Sequence, residues 1–218
     1  GREDITSVYI PASVQTIGEN AFDSCINLKT IAFAEDSKLT TIGIHAFRHC
    51  RLLTSIEIPS GVTEIGNYAF YNCISLTSVT LPSGVTRIGN YAFRYSGLTS
   101  VSIPATVTSF GTYVFADCSN LSEVNFNGNT SIRSLGNYMF YNCTALETVT
   151  LPTSLIFLGT YTFRGSGLTR IALSELTGLT CFGTSATACS ATSSVYLFAD
   201  CADLAEVILP EGFSGDGG

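Results

Sequence analysis

The side chains best able to do chemistry in this 218-residue chain are two histidines and eight cysteines. His45 and His49 stand four residues apart and Cys50 follows directly, a grouping that suggests a metal site of imidazole and thiolate. A structural zinc site normally takes four nitrogen or sulfur ligands, and no carboxylate is fixed beside this trio, so the grouping falls short of a centre. Nucleophilic or phosphoryl chemistry has even less support. There is no G-x-S-x-G, no glycine-rich phosphate loop, and no carboxylate pair that stands apart from the pattern described next. The expectation is a protein without catalytic residues, metal or cofactor.

The elements that position these residues come from one unit written eight times. Phe22, Phe47, Phe70, Phe93, Phe115, Phe140, Phe163 and Phe198 follow one another at intervals of 25, 23, 23, 22, 25, 23 and 35 residues. A period in the low twenties is the mark of a solenoid, in which each coil buries its face against the next. His45 then occupies the place held by Tyr68 or Tyr91 in other coils, and His49 that of Asn72 or Asn142, so both fall on positions that vary freely. The same frame explains most of the cysteines. Cys25, Cys50, Cys73, Cys118, Cys143 and Cys201 each lie three residues after an anchor phenylalanine, with Ser96 and Ser166 in that place elsewhere. A position taking either Cys or Ser reads as a small inward residue, hence a buried free thiol. Cys181 and Cys189 fall outside that column and are expected to share one loop, where a disulfide between them stays open because pairing cannot be read from spacing.

Within a unit, apolar residues alternate at Val8 and Ile10, Ile56 and Ile58, Val79 and Leu81, Val101 and Ile103, Val149 and Leu151, Ile171 and Leu173. Period two predicts a strand with one face inward, and equivalent strands of successive coils must pair in parallel. Prolines 11, 59, 82, 104, 152 and 210 follow the strands and stop them, having no N–H for a ladder. A glycine four residues before seven of the anchors calls either for positive φ or for close approach of coils. The segment from Tyr91 to Ser96 suits one or two tight helical turns that set Ala92 and Phe93 inward. Phe33 to Ile42 and Phe126 to Leu135 lack the proline and span two residues more than their counterparts, which a bulge on the outer wall would absorb. A larger insert, rich in Ser, Thr and Ala, is expected as an extruded loop near 176–194.

The frame L-x-x-V-x-I-P-x-x-V-x-x-I-G-x-x-A-F-x-x-C-x-x-L, seen in Leu53 to Leu76 and Leu76 to Leu98, resembles the BspA-like leucine-rich repeat over essentially the whole chain. The resemblance implies a secreted or surface-anchored protein of a host-associated microbe, of a kind proposed to adhere to matrix proteins or other cells. Repeat and resemblance together predict an α/β solenoid, a right-handed superhelix with a parallel sheet on the concave face and short helices or turns on the convex face. It would form one domain of about eight coils over residues 1–213, with 214–218 a Gly-rich tail or linker. Gly1 looks like a tag remnant, so the chain reads as a fragment of something longer.

Charged residues make up 12% of the chain, about half the usual share, and the net charge is −7. With no basic stripe, nucleic acid is excluded as a partner. No stretch approaches the ~20 apolar residues of a membrane span, and no signal peptide opens the chain. Two surfaces are candidates for binding an extracellular protein or glycan as a monomer. Small polar residues Ser78, Thr80, Ser100, Ser102, Glu123, Asn125, Thr148 and Thr150 point outward from the expected sheet, although threonine also simply suits a half-exposed strand. Tyr68, Tyr91, Tyr113, Tyr138 and Tyr161 form a column two residues before their phenylalanines, joined by Tyr71 and Tyr141; they could bind, or only cover the wall between coils. A structural spacer and a glycan hydrolase component are the alternatives to a recognition module.

Overall fold

In the computed structural model, which describes residues 2–179, 181–182, 196–211 and 213, the chain winds as a parallel β-solenoid. Its sixteen described strands fall on two walls. The first wall holds β1 (Ser7–Ile10), β3 (Thr30–Phe33), β5 (Ser55–Glu57), β7 (Ser78–Thr80), β9 (Ser100–Ser102), β11 (Glu123–Asn125), β14 (Arg170–Ala172) and β16 (Glu206–Ile208). The second holds the two-residue strands β2 (Thr16–Ile17), β4 (Thr41–Ile42), β6 (Glu64–Ile65), β8 (Arg87–Ile88), β10 (Ser109–Phe110), β12 (Ser134–Leu135), β13 (Phe157–Leu158) and β15 (Cys181–Phe182). Every pairing is parallel and in repeat register, as with Val79 beside Ile56 and Ile88 beside Ile65. Parallel register follows from the repeat, since equivalent apolar residues must share one inward face.

The third wall carries the anchors. All eight phenylalanine rings stack in seven steps of 5.2 to 5.9 Å with planes within 13° of parallel. Ala92 and Phe93 point inward as expected and are fully buried. Helical turns, however, do not form among the described residues; the segment is a run of tight turns. Alternate N–H groups explain why. Ala69, Tyr71 and Cys73 donate back three residues, to Gly66, Tyr68 and Phe70, whereas Tyr68, Phe70 and Asn72 donate to Asn90, Ala92 and Arg94 of the next coil. Half the donors an α-helix would need are therefore committed between coils.

This alternation also moves the positive φ. The glycine column does not carry it; the left-handed residues are those two before and two after each anchor, such as Tyr68 (φ 55°) with Asn72 (φ 58°), and Tyr91 (φ 57°) with Tyr95 (φ 59°). The glycines answer the other requirement, close approach. A Cβ on Gly66 would sit 2.6 Å from the Gly43 carbonyl carbon, and one on Gly89 would sit 2.6 Å from Asn67 Oδ1. That space lets Asn67 Oδ1 accept the N–H of Asn90 at 2.8 Å, and Asn90 Oδ1 accept that of Thr112 at 2.8 Å.

The described thiols of the cysteine column are free. Cys73, Cys118 and Cys143 each donate, at 3.1 Å, to the carbonyl of the preceding coil's anchor: Phe47, Phe93 and Phe115. Burial pushes the Cys50 thiol up to about 12 and Cys118 to about 11, and holds Cys73 and Cys143 well above the usual thiol range.

One local expectation is corrected. Cys181 lies not in an extruded loop but in β15, paired with Phe157, and Leu176 and Leu179 before it are buried. Leu173 to Phe182 is thus a third nine-residue span within a regular coil. Cys189 and the segment 183–195 lie outside the described residues, and with them the Cys181–Cys189 pairing. Phe163 stacks on Phe198 at 5.9 Å, so the column continues across the insert.

Candidate binding surfaces

The first wall is not a continuous sheet. Its strands bond only in pairs, β1 with β3, β5 with β7, β9 with β11, and β14 with β16. Thr148–Thr150, which has the same alternating pattern, forms no strand. Between β3 and β5 lies a cleft of about 530 Å³, lined by residues including Ala32, Phe33, Glu35, Ser55, Glu57 and Ser60. Between β11 and Thr148–Thr150 lies another of about 520 Å³, lined by residues including Glu123, Asn125, Asn127, Thr148, Thr150 and Thr153.

A proline-free span follows the strand on one side of each opening. After β11, the Asn127 amide reaches back to Ser102 Oγ at 2.8 Å and the Ile103 carbonyl at 3.0 Å, and the buried Asn129 amide to Pro104 and Val107 carbonyls at 3.1 and 2.8 Å. After β3, the N–H of Ala34 donates to Ile10 and that of Lys38 to Ala12. After β3 the N–H that replaces the missing proline N bonds backward, whereas after β11 it turns to Asn125 Oδ1 and the Asn127 and Asn129 side chains bond backward; in both places the strand pairs with the preceding coil and leaves its other edge open. At the third span the N–H of Leu173, which opens it, bonds forward to Ile208.

Of the sheet residues expected to bind, all eight are exposed. Glu123, Asn125, Thr148 and Thr150 come together in one cleft, while Ser78, Thr80, Ser100 and Ser102 lie on the strands between the two clefts. Asn127, Asn129 and Glu35 were not among the expected residues. Their signal was the two-residue excess in the spans that follow β3 and β11.

The tyrosine column forms one stack. Tyr68, Tyr91, Tyr113, Tyr138 and Tyr161 follow at 4.6, 4.9, 4.2 and 4.7 Å with planes within 9°, and Tyr196, which the two-before-phenylalanine rule also includes, extends it at 5.3 Å. Ring faces covered by neighbouring rings cannot stack on a ligand; only edges and hydroxyls remain. Some hydroxyls are engaged too. Burial, with a hydrogen bond to Tyr138, pushes Tyr113 up to about 12. Tyr71 and Tyr141 meet the column edge-on at 5.6 and 5.8 Å. Arg94 lies 4.6 Å from the Tyr95 ring and 4.9 Å from that of Tyr113, and pairs with Asp117 at 2.8 Å, whose other oxygen accepts from Asn142. Arg48 and Arg164 pair likewise with Asp23 and Asp200.

His45 tilts against Tyr68 at 5.0 Å, and His49 Nδ1 lies 2.8 Å from the Asn72 amide; burial, reinforced by Arg48, lowers the His49 pKa. Among the described residues no group of three or more His, Cys, Asp or Glu gathers as a metal site, and no helix is long and apolar enough to cross a membrane.

A parallel solenoid with short coils, a buried phenylalanine spine and two walls of repeat-built strands defines a leucine-rich repeat protein. A family profile described as BspA type Leucine rich repeat region (6 copies) matches residues 1–122, 40–170 and 118–214, and the chain belongs to that family. Among solved structures, it is similar to a leucine-rich repeat protein from Bacteroides ovatus, with 26% identity and a TM-score of 0.68 over 94% of this chain and 63% of that one. The pneumococcal vaccine antigen PcpA gives 27% identity and a TM-score of 0.68 over 95% of this chain and 51% of that one. A T. pallidum leucine-rich repeat protein gives 34% identity and a TM-score of 0.60 over 66% of each. The chain thus spans between half and two thirds of the length of these proteins. No curated protein matches it. The family profile and these three structures indicate no catalytic family.

Proposed function

We propose that the protein is a non-enzymatic recognition module, secreted or held at a cell surface, that binds an extracellular protein or glycan along the sheet wall. The observation that carries this reading is the break in that wall. Two open clefts of similar volume interrupt it, lined by hydroxyls, amides and carboxylates over an apolar floor. A pocket of mixed polar and apolar lining is the default place for a ligand. The tyrosine column, closed by its own stacking, takes the packing role. One similar protein is called a vaccine antigen, which agrees with a surface setting.

The test is binding of the purified domain to an array of matrix proteins and glycans. A saturable hit, lost when Thr148 and Thr150 are both replaced by Lys and kept by Tyr91→Ala, is the expected result. A blank array with folded protein would overturn recognition in favour of a spacer, a role the uninterrupted phenylalanine and tyrosine stacks would serve by stiffening the rod.

A further inference from the structure

We propose that the two sheet clefts are matched subsites for a single extended, basic polypeptide segment of a protein partner, lying along the solenoid axis with cationic side chains six residues apart. The proposal rests on the recognition reading above and narrows it to a protein ligand.

The clefts are equivalent by construction. A shift of 93 residues carries Phe33 onto Phe126, Ser55 onto Thr148 and Pro59 onto Pro152, so each cleft follows one proline-free span and they lie four coils apart on one wall. Neither lining contains a Lys, Arg or His. Both contain exposed carboxylates, Glu35 and Glu57 in one and Glu123 in the other. Among the described residues these three form no ion pair, whereas Asp23, Glu64, Asp117, Asp200 and Glu206 are each matched by an arginine. The unneutralised acidic charge of this wall is therefore concentrated at the openings.

A lysine or arginine suits such an opening, because its aliphatic stem can lie on the apolar floor while the charged head meets a carboxylate at the rim. An acidic ligand is repelled. A sugar finds no ring to stack on: the one aromatic side chain in each lining is Phe126, which is buried, or Phe33, which is half-buried.

Spacing then sets the ligand's pattern. Four coils at about 4.8 Å each separate the clefts by roughly 19 Å. An extended chain advances about 3.3 Å per residue, so roughly six residues cover that distance. Six is even, and even spacing places both side chains on one face of an extended chain, toward the wall. Two modest contacts joined in this way reinforce each other through effective concentration.

The experiment uses fluorescein-labelled synthetic peptides of alternating Ser and Thr, bound to the folded domain at low ionic strength and followed by anisotropy. One peptide has lysines at i and i+6, a second at i and i+5, a third a single lysine. The i, i+6 peptide should bind about tenfold more tightly than the other two. Glu123→Gln, or Glu35→Gln with Glu57→Gln, should each reduce it to the single-lysine level, with unchanged circular dichroism melting as the folding control. Equal affinity for the i+5 peptide, no effect of the glutamine substitutions, or no peptide binding would each overturn the proposal. The array separates the two failures. Array binding that ignores the glutamine substitutions defeats the paired clefts and leaves recognition standing; a blank array defeats recognition itself.

Discussion

The turn wall and the sheet wall each receive one rung per coil from the same repeat, yet they differ in continuity. On the turn wall, the phenylalanine spine runs unbroken from Phe22 to Phe198 and the N–H ladder passes from coil to coil with the same geometry. On the sheet wall, the described strands pair only in twos, and clefts lie at two of the breaks. The difference teaches where each duty lies. In a repeat array stability is roughly a sum of coil terms and neighbour interfaces, so an unbroken interface on one wall lets the other depart from regularity.

The largest expected effect tests that division directly. Phe93 is fully buried and stacked on both sides, at 5.3 Å on Phe70 and 5.6 Å on Phe115. Phe93→Ala should lower unfolding free energy by about 3–5 kcal/mol, measured by urea denaturation. Thr80→Ala on the exposed face of β7 should stay within about 0.5 kcal/mol. Comparable losses for the two would erase the contrast between walls.

The tyrosine column sharpens the contrast by separating packing from binding. Tyr113 is half-buried between two parallel rings at 4.9 and 4.2 Å. Tyr113→Ala should cost about 2 kcal/mol, combining lost apolar burial with two ring contacts, and leave binding per folded molecule unchanged. A loss of binding without a loss of stability would return the column to the recognition surface.

Much of this was legible in the sequence, because a repeat makes every coil a comparison for the others. The anchors, the inward alanines, the parallel register of Val79 on Ile56 and the buried cysteines all follow from position alone. The tyrosines were harder to place. Left-handed φ at Tyr68 or Tyr91 contradicts the usual preference for glycine there, and only the ladder running between coils makes it intelligible. Glycine at position four before the anchor gave two readings, and spacing between coils, a tertiary quantity, decided for close approach. Cys181 seemed displaced because the insert after Phe182 obscured the third nine-residue span. The clefts were half legible: the extra residues after Phe33 and Phe126 were visible, but whether they bond backward or forward depends on Asn127, Asn129 and the freed N–H of Ala34 acting in three dimensions.

The thiol column offers a pH test of the turn wall. Native Cys50 and Cys118 keep their protons up to about 12 and about 11, whereas unfolded thiols release theirs near pH 8.5. Their folded values are raised, so the stabilising contribution is complete below the unfolded value and is lost as pH climbs toward the folded ones. Stability should therefore fall above pH 9, by about 1.4 kcal/mol per pH unit for each such thiol. Cys118→Ser, a residue that Ser96 and Ser166 show the column accepts, should reduce that slope by one thiol's share in melts between pH 8.5 and 10.5. An unchanged slope would mean Cys118 is not held protonated by its burial.

The smallest expected change in stability carries the sharpest test of why the sheet wall breaks. Replacing Asn127–Ile132 by the Pro-Ser-Gly-Val that follows Leu81 converts a nine-residue span into a seven-residue one and removes the backward bonds to Ser102, Ile103, Pro104 and Val107. Loop entropy changes by only a few tenths of a kcal/mol, and the lost amide bonds are offset by whatever ladder forms in their place. If the backward bonds hold β11 away from Thr148–Thr150, their removal lets those residues pair. The amides of Thr148 and Thr150 should then exchange more slowly with deuterium, while those of β5 and β7 stay as they were. Should they exchange as fast as before, the opening belongs to the Thr148–Thr150 segment itself and not to the span that precedes it.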